Sequence, residues 1–262
     1  MLNKYPCIDL QPLPFYSALS IGAISVEADV WLLNDTLYVG HELVSLAKSR
    51  TLESLYINPI LETLRYRNPT YSDLFAQPLP ISHNGVYDND QYQTLYLYID
   101  LKTDGETTWP AVVKALEPLR SRGYLTSTDG HKLKESAITV IGTGATPLNL
   151  VEQVTPRDYF YDAPLENLSD PRISNFVSLT SSASFPDNFG PLTDIGLNQT
   201  QLQLLKAQLK LAHRKGIKLR YWGQPEWPAS TRNDIWRQFM TEGVDFLCVD
   251  DLETAAGYGD FW

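Results

Sequence analysis

Ile24-Ser25-Val26-Glu27-Ala28-Asp29-Val30-Trp31-Leu32-Leu33 is an apolar, β-branched run interrupted by two acids two positions apart. It is too short and too β-branched for an amphipathic helix, so it reads as a buried strand. The same kind of run recurs along the chain at Thr94–Leu101, Ala137–Gly142, Asp158–Tyr161, Phe176–Thr180, Ile217–Trp222 and Phe246–Val249. Between these strands the spacing predicts helices over Leu52–Tyr66, Trp109–Ser121, Thr200–Lys215 and Arg232–Thr241. Leu202, Leu205, Leu209 and Ala212 form a stripe at helical spacing, and Gly216 stops that helix after His213, Arg214 and Lys215. Strands that alternate with helices predict a parallel sheet with helices on its faces. A closed barrel and an open doubly wound sheet both satisfy that pattern. No GxGxxG follows the first strand, and Gly142-Thr143-Gly144 lacks the third glycine, so the reading favours a (β/α)8 TIM barrel. No repeat or convincing linker divides the 262 residues, which are read as one domain, 1–262.

Composition narrows the partners. With 31 acidic against 21 basic residues the net charge is −10, which argues against a nucleic-acid partner. A phosphate-bearing substrate stays open, because a bound metal supplies positive charge locally. Two cysteines, Cys7 and Cys248, make neither a disulfide framework nor a CxxC metal site. No apolar run is long enough to span a bilayer, and no leader pattern opens the chain. Sequons at Asn34, Asn167 and Asn198 carry little weight. No GxSxG, Walker loop or HExxH appears, which weakens serine-esterase, P-loop and zinc-protease readings.

The chemistry starts at Glu27 and Asp29. Two apart on a strand, they point to one face. On an inward face they repel each other and lose hydration unless a cation sits between them. A divalent cation with oxygen ligands answers that need; two acids on a solvated strand end, paired with lysines, would answer it too. Tyr98-Ile99-Asp100-Leu101-Lys102-Thr103 supplies a third acid where an apolar strand ends. Asp100 and Lys102 share the C-terminal rim, where barrel enzymes keep their catalytic groups. Asp100 completes a three-carboxylate set for Mg²⁺, and Lys102 is placed to hold a phosphate oxygen; the plainer alternative is a strand-end salt bridge.

Gly40 permits a sharp turn that brings His41 back over the strand mouth, where an imidazole can move a proton. His83, His131 and His213 lie in a loop, a polar turn and a helix end. Trp222, at the end of a late strand, offers an aromatic face to an apolar group or a quaternary ammonium, or else plugs the barrel. Asp250 and Asp251 end the last strand, one toward substrate and the other as a helix cap. The segment Asn68–Asp90, rich in Pro, Asn, Asp and Tyr, reads as a long loop near the site.

These motifs, in this order, resemble the phospholipase-C-like phosphodiesterase superfamily of glycerophosphodiester phosphodiesterases and sphingomyelinases D. Within it they resemble the fungal group called altered inheritance of mitochondria protein 6. The resemblance runs through Pro12–Leu19, Val26–Leu33, Tyr38–His41, Arg50–Tyr56, Ile99–Gly105, Arg220–Trp227 and Val244–Leu252. It implies a TIM barrel with Glu27, Asp29 and Asp100 as ligands of Mg²⁺, Ca²⁺ being the other cation of that chemistry. It also implies His41 as the second of two catalytic histidines, Lys102 on the phosphate, and Trp222 and Asp250 on the substrate. The implied reaction is attack on a lipid or glycerol phosphodiester by water or by a substrate hydroxyl, the latter giving a cyclic phosphate. A lipid substrate implies contact with a membrane surface, and the resemblance is compatible with a secretory or a mitochondrial compartment.

One segment departs from the pattern. The family carries roughly His-Ser-His-Asn-Asp before the Pro-Leu of its first helix, whereas this chain reads Tyr5-Pro6-Cys7-Ile8-Asp9-Leu10-Gln11-Pro12-Leu13. The first catalytic histidine is missing and the first strand is expected to be truncated or irregular. Three readings follow: an active phosphodiesterase, an impaired relative that binds metal and phosphate, and an unrelated barrel enzyme such as a metal-dependent aldolase or sugar hydrolase.

Overall fold

The strand pattern folds into a single curled sheet. The computed structural model describes residues 4–6, 12–69, 83–192 and 195–257. Cys7 with the segment up to Gln11, and most of the expected loop Asn68–Asp90, lie outside the described residues. The strands are β1 (Lys4–Pro6), β2 (Ser25–Leu33), β3 (Thr36–Val39), β4 (Leu95–Leu101), β5 (Ser127–Thr128), β6 (Leu133–Lys134), β7 (Ile138–Gly144), β8 (Phe160–Pro164), β9 (Thr180–Ser184), β10 (Lys218–Trp222) and β11 (Phe246–Val249). Eight of them run parallel in the order β1-β11-β10-β9-β8-β7-β4-β2, and β3 joins β2 antiparallel at the edge. β5 and β6 form a separate hairpin. β1 returns to lie beside β2, with no ladder between the two among the described residues. β1 as described is three residues long, and the residues on either side of it, where the expected truncation would show, lie outside the described ones.

Helices cover the outer face because the outward-facing side chains of the strands, such as Val26, Ala28 and Val30 of β2 and Leu97, Ile99 and Leu101 of β4, are apolar. Leu205, Leu209 and Ala212, on the helix Gln199–Arg214, bury against Leu219 and Tyr221 of β10 in one apolar cluster. A second cluster surrounds β2, β4 and β7, and Tyr161 packs against both. Asn198 caps the helix Gln199–Arg214 with a reciprocal Gln201 bond, the arrangement that satisfies two orphan amides at once. The helix expected over Leu52–Tyr66 begins as a π-turn, Glu53–Ile57, and continues as Asn58–Arg67. Pro59 has no amide to give to the preceding turn, and the wider turn accommodates it.

Two strands sit later than the apolar pattern placed them. The expected Asp158–Tyr161 is Phe160–Pro164, and the expected Phe176–Thr180 is Thr180–Ser184. The apolar Phe176-Val177 instead belongs to a turn closed by Val177 and Ser178 amides on the Ser174 carbonyl. β9 is polar because its inward hydroxyls, Thr180 and Ser182, bond to the buried Asp162 of β8. The helix expected over Trp109–Ser121 starts at Gly105, capped by Asp104, and restarts as Glu117–Arg120.

Candidate functional site

Parallel pairing of β2 with β4 places Glu27 beside Tyr98 and Asp29 beside Asp100. All four alternate inward, so the acids meet at the C-terminal end of the two strands. One carboxylate oxygen from each of Glu27, Asp29 and Asp100 lies within 4.8 Å of the others. Glu27 and Asp29 are buried, at 8% and 4% exposure. Lys102 joins them: its Nζ donates to Asp100 Oδ2 at 2.7 Å and sits 3.2 Å from Asp29 Oδ1. The pairing therefore spans two strands instead of closing locally on Asp100. Burial, with repulsion from Glu27 and Asp100 and the opposing pull of Lys102, pushes the Asp29 carboxyl up to about 6. Burial works against the Lys102 ammonium, yet Asp100 and Asp29 hold it above the usual lysine range.

The backbone around the acids is pinned. The Lys102 amide donates to the Val30 carbonyl, the Leu32 amide to Thr103 Oγ1, and the Tyr56 hydroxyl to the Glu27 carbonyl. Gly144, at the end of β7, has φ +62° and leaves no room for a Cβ, which would fall on Asp100 Oδ1. Only glycine tolerates both conditions. The glycine that failed as a nucleotide motif thus serves the acid cluster.

On the opposite wall Arg220 of β10 lies buried at 2% exposure. Its Nη2 donates to Asp162 Oδ2 at 2.9 Å, its Nε to Ser182 Oγ at 2.6 Å, and its Nη1 reaches Glu27 Oε2 at 3.3 Å. The guanidinium stacks over the Tyr98 ring at 4.0 Å. Asp162, Ser182 and Thr180 had no role in the sequence reading, and Arg220 stood there only as part of a motif. An arginine two positions before Trp222 on an apolar strand was the available signal, but its partners come from strands 38 and 58 residues away.

The other sequence candidates take definite places. Trp222 is half exposed (50%) between two clefts. One, about 190 Å³, is lined by Glu27, Cys248 and Asp250; the other, about 350 Å³, by Asp162, Glu166 and Asp187. Asp250 is exposed on the first cleft, and the cap falls to Asp251, which accepts from the Thr254 amide at 3.0 Å and pairs with Arg232. The Gly40 amide donates to the Asp29 carbonyl, and Trp31 Nε1 donates to the Gly40 carbonyl, so His41 follows the position opposite Asp29. His41 is exposed, and no hydrogen bond or ion pair joins it to the acids among the described residues. Of the other histidines, His83 meets the Tyr124 ring edge to face, His131 lies in the β5–β6 turn, and His213 pairs with Asp245 at 2.8 Å. Burial pushes the Cys248 thiol up to about 12.

The curled sheet of eight parallel strands and its helices are similar in fold to a glycerophosphodiester phosphodiesterase from Parabacteroides distasonis. That likeness has a TM-score of 0.50, covers 97% of this chain and 94% of that one, and at 13% identity concerns the fold alone. The AIM6-like phosphodiesterase domain matches residues 9–162. The altered inheritance of mitochondria protein 6 homolog of Arthroderma benhamiae is 45% identical over 94% of this chain and 80% of its own length. The Eremothecium gossypii protein of that name is 35% identical over 94% of this chain. This chain belongs to the AIM6-like phosphodiesterase family. It spans 66% of the Eremothecium protein and 61% of the one from Lachancea thermotolerans.

Proposed function

We propose that the chain is a divalent-metal-dependent phosphodiesterase acting on a lipid or glycerol phosphodiester, built on a closed (β/α)8 barrel. The observation that carries the reading is the convergence of Glu27, Asp29 and Asp100 within 4.8 Å. Among the described residues Asp29 and Asp100 share the ammonium of Lys102, while Arg220 is held closely by Asp162 and only loosely by Glu27. That leaves negative charge at the cluster for a divalent cation to neutralise. Oxygen ligands of Ca²⁺, at 2.3–2.6 Å from the ion, stand up to about 5 Å apart, and those of Mg²⁺ up to about 4.2 Å. Modest rotation of the three side chains would bring one oxygen from each into the range of either ion.

When bound, such a cation polarises the phosphoryl group and neutralises the charge that develops on it. Lys102 transfers its ammonium from the acids to a phosphate oxygen. His41 exchanges a proton with the reacting oxygen, and Trp222 with Asp250 borders the alcohol portion of the substrate. Hydrolysis of a bis-aryl phosphodiester, glycerophosphocholine and a lysophospholipid, each with Mg²⁺ and with EDTA, tests the reading. Turnover that EDTA does not reduce would exclude it.

A second reading, an impaired relative that binds metal and phosphodiester with little turnover, is favoured by one observation. His83, His131 and His213 all have positions away from the acids, which leaves His41 without a partner histidine among the described residues. Binding of an unreactive phosphonate analogue without measurable hydrolysis separates the two.

A further inference from the structure

We propose that Asp162, acting through Arg220, is a positioning residue that sets how tightly the Glu27–Asp29–Asp100 cluster binds a divalent cation. The inference rests on the metal-binding reading above and adds a residue outside the cluster. Asp162 is buried at 4% exposure and its carboxylate accepts three hydrogen bonds. Oδ1 accepts from Thr180 Oγ1 at 2.8 Å, and Oδ2 accepts from Ser182 Oγ and from Arg220 Nη2. It belongs to a different strand from the three converging acids and is not one of the group within mutual ligand distance.

The distances rank Arg220's partners. Ser182 at 2.6 Å and Asp162 at 2.9 Å hold it closely, while Glu27 at 3.3 Å is reached only loosely. Tyr98 supports the guanidinium from a third side at 4.0 Å. A buried guanidinium keeps its full charge and must have anionic partners. With Asp162 in place Arg220 is anchored on the far wall and takes only a fraction of Glu27's negative charge. Without that anchor Glu27 is the carboxylate left within reach of Arg220 among the described residues, and Arg220 competes with the metal for the same oxygens. Partners one step removed from a metal's ligands commonly change affinity 10–100-fold.

Isothermal titration with Mg²⁺ alone, on wild type, Asp162→Asn and Ser182→Ala, measures this. The expected result is a Kd raised roughly 10–100-fold by Asp162→Asn and a smaller rise, in the same direction, for Ser182→Ala. Ser182→Ala removes one hydroxyl and decides the question if Asp162→Asn does not fold. In hydrolysis assays the deficit should shrink as Mg²⁺ is raised, which a loss of general packing would not do. Unchanged Mg²⁺ affinity in folded variants, beside a wild type that binds, overturns this inference and leaves the metal reading standing. A wild type that binds no Mg²⁺ overturns both. A deficit that excess Mg²⁺ does not relieve assigns Asp162 to the fold alone and also overturns it.

Discussion

Asp29 and Asp100 stand directly opposite each other in the β2–β4 ladder, and Lys102 Nζ bridges them at 3.2 and 2.7 Å. Two like charges in adjacent register destabilise a sheet unless something neutralises them. Lys102 does part of that, and Glu27 adds a third carboxylate to the same space.

Mg²⁺ should therefore stabilise the protein. At about 100 times Kd the gain is roughly 2.7 kcal/mol, or about 5–10 °C for a chain of this size. The double substitution Glu27→Gln, Asp29→Asn should abolish the shift in a thermal melt. A shift of equal size in the double variant would remove the metal assignment.

Stability should depend on pH with a definite sign. Asp29 titrates near 6 when folded, against an ordinary value of 3.8. The folded chain then holds a proton between those values that the unfolded chain releases, so stability falls as pH rises from about 4 to 6 and levels off above. The contribution is on the order of 2–3 kcal/mol. Urea titrations in EDTA at pH 5 and 7, on wild type and Asp29→Asn, should give a smaller pH difference in the variant. Mg²⁺ affinity should move the opposite way, weakening about tenfold per unit below pH 6 as protons compete for the ligand.

Trp222 stands half exposed between the two clefts, so its truncation removes little buried area. Trp222→Ala should weaken binding of choline-type phosphodiesters while changing the melting temperature little. A large loss of stability with unchanged affinity would make the ring a barrel plug.

The missing histidine should show in rate more than in binding. Loss of a general acid or base costs about 10²–10⁴-fold, so the chain should bind Mg²⁺ and a phosphodiester analogue yet turn over slowly. Inserting a His-Ser-His-Asn-Asp-Tyr segment between Cys7 and Pro12 should raise the rate, and His41→Ala should then remove the gain. Full turnover without the insertion, indifferent to His41→Ala, would show that a different pair does the chemistry.

The apolar strands were legible because their signal is local: β2, β4, β7, β10 and β11 fall within about two residues of their expected bounds. β8 and β9 were displaced because their inward positions hold Asp162, Thr180 and Ser182. Polar inward residues erase the apolar alternation on which the reading depends.

The sequence by itself determined that Glu27 and Asp29 share a face, since strand geometry sends side chains two apart to the same side. It also determined that Asp100 and Lys102 end a strand at the rim. Only the tertiary structure decided that these two strands are neighbours in a register that brings Asp29 to Asp100. It alone brought Arg220 between Glu27 and Asp162, groups 193 and 58 residues from it in sequence. Strand order and register arise from packing the whole sheet against its helices. A buried charge finds its partners through that packing, whatever their separation along the chain.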